Sequence, residues 1–147
     1  MNMATRAESD MSTGGDNRNS WDRVAILVAG DCVAFILFAL LGRQSHAEAV
    51  TVTRVIQTAA PFIIGWLVAA TVLGAFGDRH RLDTFKPGEL LGRTGRSWLL
   101  GWGLSLLLRR FVFGAGVAPS FALVALIVNG ILLLGWRGVV STVFWRH

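Results

Sequence analysis

Cysteine occurs once and histidine three times in this 147-residue chain. Cys32 therefore has no partner for an intrachain disulfide, and cysteine usage carries no sign of a redox compartment. The histidines build no metal centre: His46 and His80 are predicted on opposite membrane faces, and Cys32 lies inside a span between them. Acidic residues are also scarce, nine against fourteen basic ones for a net charge of +5. That excess forms no basic helix face and no interleaving of bases with aromatics, which excludes nucleic acid as a partner. The basic residues lie instead between apolar runs, where they direct topology. No cofactor is expected.

What the chain has in quantity is apolar length. It is 53% hydrophobic with a mean hydropathy of +0.55, the character of a polytopic membrane protein. Val24 to Leu41 is an eighteen-residue apolar run, and at helical rise it is about 27 Å long, one hydrocarbon core. Its single ionisable side chain is Asp31. A carboxylate at that depth costs about 2.5 to 3.5 kcal/mol on insertion scales, so it must face other helices and find partners there. The run is longer than a signal-peptide core and follows a tail bearing Glu8, Asp10, Asp16 and Asp22, so it reads as a retained span despite the Ala47-Glu48-Ala49 that follows.

Three further runs follow. Ala59 to Phe76 is the cleanest, preceded by a polar stripe of Thr53, Arg54, Gln57 and Thr58 that predicts an amphipathic start, with Pro61 in the first turn or kinking the helix. Trp98 to Leu108 gives only eleven residues before Arg109-Arg110, and reaches spanning length by starting at Thr94 and letting both arginines snorkel outward. Ser120 to Trp136 is the fourth, followed by Arg137 and a tail, Gly138 to His147, predicted to be helical and interfacial. The expected fold is all-α, an up-down bundle of four transmembrane helices over residues 21–147. The alternative is three spans with a re-entrant third segment. Residues 1–20 have the composition of a disordered tail.

Lys and Arg divide ten against four between the two sides of such a bundle. Arg6, Arg18, Arg23, Arg79, Arg81, Lys86, Arg93, Arg96, Arg137 and Arg146 oppose Arg43, Arg54, Arg109 and Arg110. The positive-inside rule then puts both termini on the cytoplasmic side of the cell (inner) membrane. The expected partners are the lipid bilayer and a second copy or another membrane protein; the small pair Ala70 and Gly74 permits close helix contact but is too common a pattern to identify a dimer interface. At the opposite boundary Arg43, His46, Arg109 and Arg110 form a predicted outer-face cationic rim.

Counting from the cytoplasmic helix ends, Asp31, Thr71, Ser105 and Asn129 share one depth, roughly 7 to 11 Å inside the membrane. They form a predicted buried polar layer in which Asn129 donates to Asp31 and fixes helix register. Two functions are compatible with it: a non-enzymatic structural or assembly component, or a small proton-linked transporter that uses Asp31. Catalytic patterns are poor. Intramembrane aspartyl proteases carry Gly-Asp pairs like Gly30-Asp31 and Gly77-Asp78, but their upstream glycine spacing is not met, and Asp78 belongs at the interface. Gly103-Leu104-Ser105 lacks the closing glycine of a nucleophile elbow, so no catalytic residues are assigned and an enzyme is not expected.

One family is nonetheless similar. Gly30-Asp31, Leu41-Gly42-Arg43 with Ser45-His46, Ala59-Ala60-Pro61-Phe62 with Gly65-Trp66, Pro119 with Phe121, and Gly135-Trp136-Arg137 resemble a family of short prokaryotic membrane proteins. It is catalogued as a domain of unknown function, the one numbered three thousand and fifty-four. The resemblance covers about residues 24 to 140 and implies four helices in a membrane. It implies no activity.

Overall fold

The computed structural model describes residues 3–45, 51–76 and 87–144. They form four helices: α1 (Met3–Ser45), α2 (Val52–Val72), α3 (Pro87–Phe111) and α4 (Pro119–Phe144), with no strand among the described residues. Each helix packs on its two neighbours in a ring, α1 on α2 and α4, α3 on α2 and α4. Cross-helix contacts run in opposite chain directions, Gly65 facing Ser105 and Ala69 facing Gly101, so the bundle is up-down as expected. Three segments are long and apolar enough to cross a membrane: Asp22–Gln44, Val52–Val72 and Pro119–Val143. These mark a membrane protein. α3 falls short in composition because it carries Glu89, Arg93, Arg96, Arg109 and Arg110, yet it is an unbroken helix of 25 residues and has no re-entrant bend.

The buried face of each helix follows the 3.6-residue period. On α1 it is Leu27, Asp31, Ala34, Phe35 and Phe38, and on α4 it is Ala125, Asn129, Leu133, Arg137 and Ser141. Leucines, isoleucines and valines off those faces, such as Ile36, Leu99 and Ile131, point outward, where a bilayer replaces water as the solvent. The core splits into two zones along the axis. Toward the C-terminal end of α1, Phe35, Phe38, Phe62 and Phe121 pack with ring centroids 5.7 to 6.5 Å apart. Toward its N-terminal end the buried polar groups Asp31, Thr94, Arg137 and Ser141 are set among Leu27, Ala75, Leu90 and Val140.

Several boundaries differ from expectation for physical reasons. α1 extends back to Met3, so the polar tail continues the span's helix; once a helix is nucleated, each added residue costs little. α2 does begin amphipathically, with Thr53, Arg54 and Gln57 exposed and Val55 and Ala59 buried, but Pro61 lies well inside the helix. α4 runs through the expected interfacial tail as far as Phe144, burying Val140 and Ser141. Residues 77–86, which hold Arg79, Arg81 and Lys86 of the basic loop, lie outside the described residues.

Closest approach occurs between α2 and α3. A Cβ on Gly65 would stand 2.8 Å from the Gly101 carbonyl oxygen and closer still to the Ser105 hydroxyl, and one on Gly101 would stand 3.2 Å from the Trp66 Cα. Glycine at both positions lets the backbones touch. Gly65→Ala is therefore expected to cost about 1 to 3 kcal/mol through overpacking. Gly103→Ala, at a position with open space within 4 Å, should change stability by less than about 1 kcal/mol. Unfolding of both variants in mild detergent checks the contrast, and equal effects would contradict the close approach.

Candidate functional site

α1 carries Asp31 into the centre of the bundle, where its side chain is fully buried. Its partner comes from α4. Arg137 Nη2 donates to Oδ2 at 2.6 Å and Nε donates to Oδ1 at 3.1 Å, the two-pronged geometry that matches a planar guanidinium to a carboxylate. Trp66 of α2 adds a third donor, its indole Nε1 lying 2.9 Å from Oδ2. Three N–H groups thus face the two oxygens of an acceptor-only group.

Arg137 is equally buried and reaches the other two helices with its remaining donors. Nη1 donates to the Ala75 carbonyl at 2.7 Å and to the Thr94 hydroxyl oxygen at 3.3 Å. The guanidinium carbon also stands 4.9 Å from the Trp66 ring centroid and 5.0 Å from that of Phe76. Those distances suit cation–π attraction in a desolvated site. One arginine therefore joins α1, the end of α2, α3 and its own helix.

Local sequence explains how each partner is aimed. At the C-terminus of α2, Gly74 takes φ +67°, its N–H donates to Thr71 O, and the Ala75 N–H donates to Ala70 O. This is a Schellman cap, for which glycine is the natural residue. The turn places Ala75 beside the helix end, where its carbonyl is free to meet Arg137. Thr94 is held by donating its hydroxyl to Leu90 O, which leaves its oxygen to accept. Gly30, beside Asp31, leaves the space that the Trp136 ring fills; a Cβ there would fall on the indole.

The predicted polar layer is only partly present. Asp31, Ser105 and Asn129 are buried, whereas Thr71 is exposed and bonds Leu67 O of its own helix. Thr71 points away from the seam formed by Ala69 and Ala70. Asn129 does not reach Asp31; its amide donates to Ala125 O one turn back. Ser105 donates to Gly101 O. Arg137, assigned from sequence to the boundary, is the residue that was missed. Its signal is present in Gly135-Trp136-Arg137, but an arginine that follows an apolar run and precedes an interfacial tail has the pattern of a membrane boundary.

The cationic rim is likewise modified. Arg43 closes α1 and Arg109-Arg110 close α3 at the same end of the bundle. Arg109 is engaged there, its Nε donating to Gly116 O and its guanidinium lying 4.4 Å from the Phe121 ring centroid, so it ties down the α3–α4 turn. His46 lies outside the described residues.

Residues 28–140 match the family described as Protein of unknown function (DUF3054), and the chain belongs to that family. No curated protein and no solved structure matches it. The matched span includes Asp31, Trp66, Ala75, Thr94 and Arg137, so the complete hub lies within the family region. Among the described residues no group of three or more His, Cys, Asp or Glu side chains could hold a metal ion.

Two substitutions test the hub. Trp66→Phe keeps the ring and removes the donor to Asp31, and is expected to cost about 1.5 to 3 kcal/mol, the usual range for a hydrogen bond to a charged group. Gly30→Ala should cost about 1 to 3 kcal/mol by displacing Trp136. Detergent unfolding curves measure both, and a Trp66→Phe curve that overlays the wild type would contradict the assignment of its indole.

Proposed function

We propose that this protein is a non-enzymatic structural or assembly component of the cell membrane, with four spans and both termini cytoplasmic. The observation that carries the reading is the engagement of Asp31: each carboxylate oxygen accepts from at least one donor, three in all, from two neighbouring helices. A carboxylate used in transport has to release those donors in every cycle, and breaking a buried charge pair costs about 3 to 5 kcal/mol. The buried hydroxyl of Ser105 donates to its own helix and lies against Gly65. Neither group is presented to a substrate.

The ion pair also bears on orientation. With Arg137 neutralised inside the bundle, the topogenic charges divide nine against four, which keeps the same side cytoplasmic. α3 crosses as the fourth span by hiding its polar face, Thr94, Ser97 and Ser105, against its neighbours. The lipid bilayer is the partner this design requires. A second copy or another membrane protein would meet the outward faces.

Two measurements bear on this reading. A periplasmic phosphatase reporter fused after His147 should be inactive and one fused in the α1–α2 loop active; the reverse pattern would overturn the orientation. Purified protein in proteoliposomes should pass protons no faster than empty vesicles. A flux above that background would favour the proton-linked transporter.

A further inference from the structure

α3 is the helix least suited to a bilayer by its own composition. Its apolar core is only Trp98 to Leu108, its flanks carry Glu89, Arg93, Arg96, Arg109 and Arg110, and it is not among the three segments apolar enough to cross alone. Two tryptophans lie inside that core one turn apart, Trp98 buried and Trp102 half-buried. An indole N–H in hydrocarbon needs an acceptor, which is why tryptophans in membrane proteins favour the interfaces.

α4 supplies the acceptors. Trp98 Nε1 donates to Leu126 O at 3.0 Å and Trp102 Nε1 to Ala122 O at 2.9 Å, so one turn forward on α3 matches one turn back on α4. Gly130 keeps that approach open, since a Cβ there would stand 3.1 Å from the Trp98 nitrogen. The same seam is tied on either side of the tryptophans: Arg137 Nη1 donates to Thr94 Oγ1 at 3.3 Å, and Arg109 Nε donates to Gly116 O at 3.1 Å. Between the helices, the N–H groups of Val112, Phe113 and Ala115 are bonded back to Leu108 O and Arg109 O, so the turn is fixed as well. α2 meets α3 in another way, through the close packing of Gly65 on Gly101 and Ser105.

We infer that α3 crosses the membrane as the dependent half of a hairpin, inserted together with α4 and held across by this ladder of side-chain bonds. The inference rests on the four-span reading and adds what keeps the weakest span in place. Each indole bond removes an unsatisfied donor from the hydrocarbon. Composition alone makes the opposite forecast for one substitution: phenylalanine favours insertion, so a chain with Phe at both positions should cross at least as well if α3 depends only on its own apolarity.

The test uses the full chain in cells, with Cys32→Ser and Ala118→Cys so that one thiol marks the exposed α3–α4 turn. An impermeant maleimide added outside, scored against total thiol after permeabilisation, should label most chains of this background. Adding Trp98→Phe with Trp102→Phe should lower the ratio of labelled to protected chains about three- to tenfold, whereas adding Gly65→Ala, which disturbs the α2 seam, should leave it unchanged. Undiminished labelling of the double Phe variant would overturn the inference. So would an equal loss from Gly65→Ala, because α3 would then depend on α2. Protection of position 118 in the background chain would instead overturn the four-span reading, and the inference with it. Should the double variant be degraded, Trp102→Phe alone, read within minutes of synthesis, decides by the same ratio with a fall of about two- to threefold.

Discussion

The cost of placing a charge away from water governs this protein. Asp31 sits in the middle of its most apolar stretch, and nothing in α1 can compensate it. Compensation comes from a residue 106 positions later, Arg137, whose guanidinium holds the carboxylate with two N–H groups and gives the N–H groups of Nη1 to Ala75 O and Thr94 Oγ1. Removing either charge strands the other, so the pair is worth far more as a constraint on register than as net stability. Because its contacts span all four helices, no helix can slide or rotate alone without breaking it.

The surrounding features make sense as support for that pair. The Schellman turn at Gly74 presents Ala75 O, the bond from Thr94 to Leu90 O orients its oxygen, and Gly30 admits Trp136 next to the carboxylate. Close contact of α2 with α3 through Gly65 and Gly101 brings Trp66 and Thr94 into range of one guanidinium. At the other end the bundle needs no such device, because Phe35, Phe38, Phe62 and Phe121 bury one another. Arg109 closes that aromatic end over Phe121.

Much of the architecture was legible because hydropathy and helix period are local properties. Four helices, their order, the amphipathic start of α2 and the need of Asp31 for a partner all follow from runs and spacings. The identity of that partner did not, because depth along a helix can be counted while the direction a side chain faces depends on packing. Thr71 and Ser105 illustrate this: both were counted to similar depth, but only Ser105 lies in a seam. Arg137 was hidden by a different rule. An arginine after a tryptophan at the end of an apolar run has the pattern of a membrane boundary, and only the continuation of α4 to Phe144 turns it inward. The family-like motifs Gly30-Asp31, Gly65-Trp66 and Gly135-Trp136-Arg137 held the answer without its geometry, for they are the three pieces that meet in the hub.

A double-mutant cycle on the charge pair addresses this account most directly. Asp31→Leu and Arg137→Met each leave one buried charge unpaired, and each should lose about 3 to 5 kcal/mol in detergent unfolding or fail to accumulate as folded protein. The doubly substituted chain buries no charge at all and should recover most of that loss, giving a large coupling energy between positions 31 and 137. Single variants that unfold like the wild type, or a double variant whose loss is the sum of the two, would contradict the claim that this ion pair holds the four helices in register.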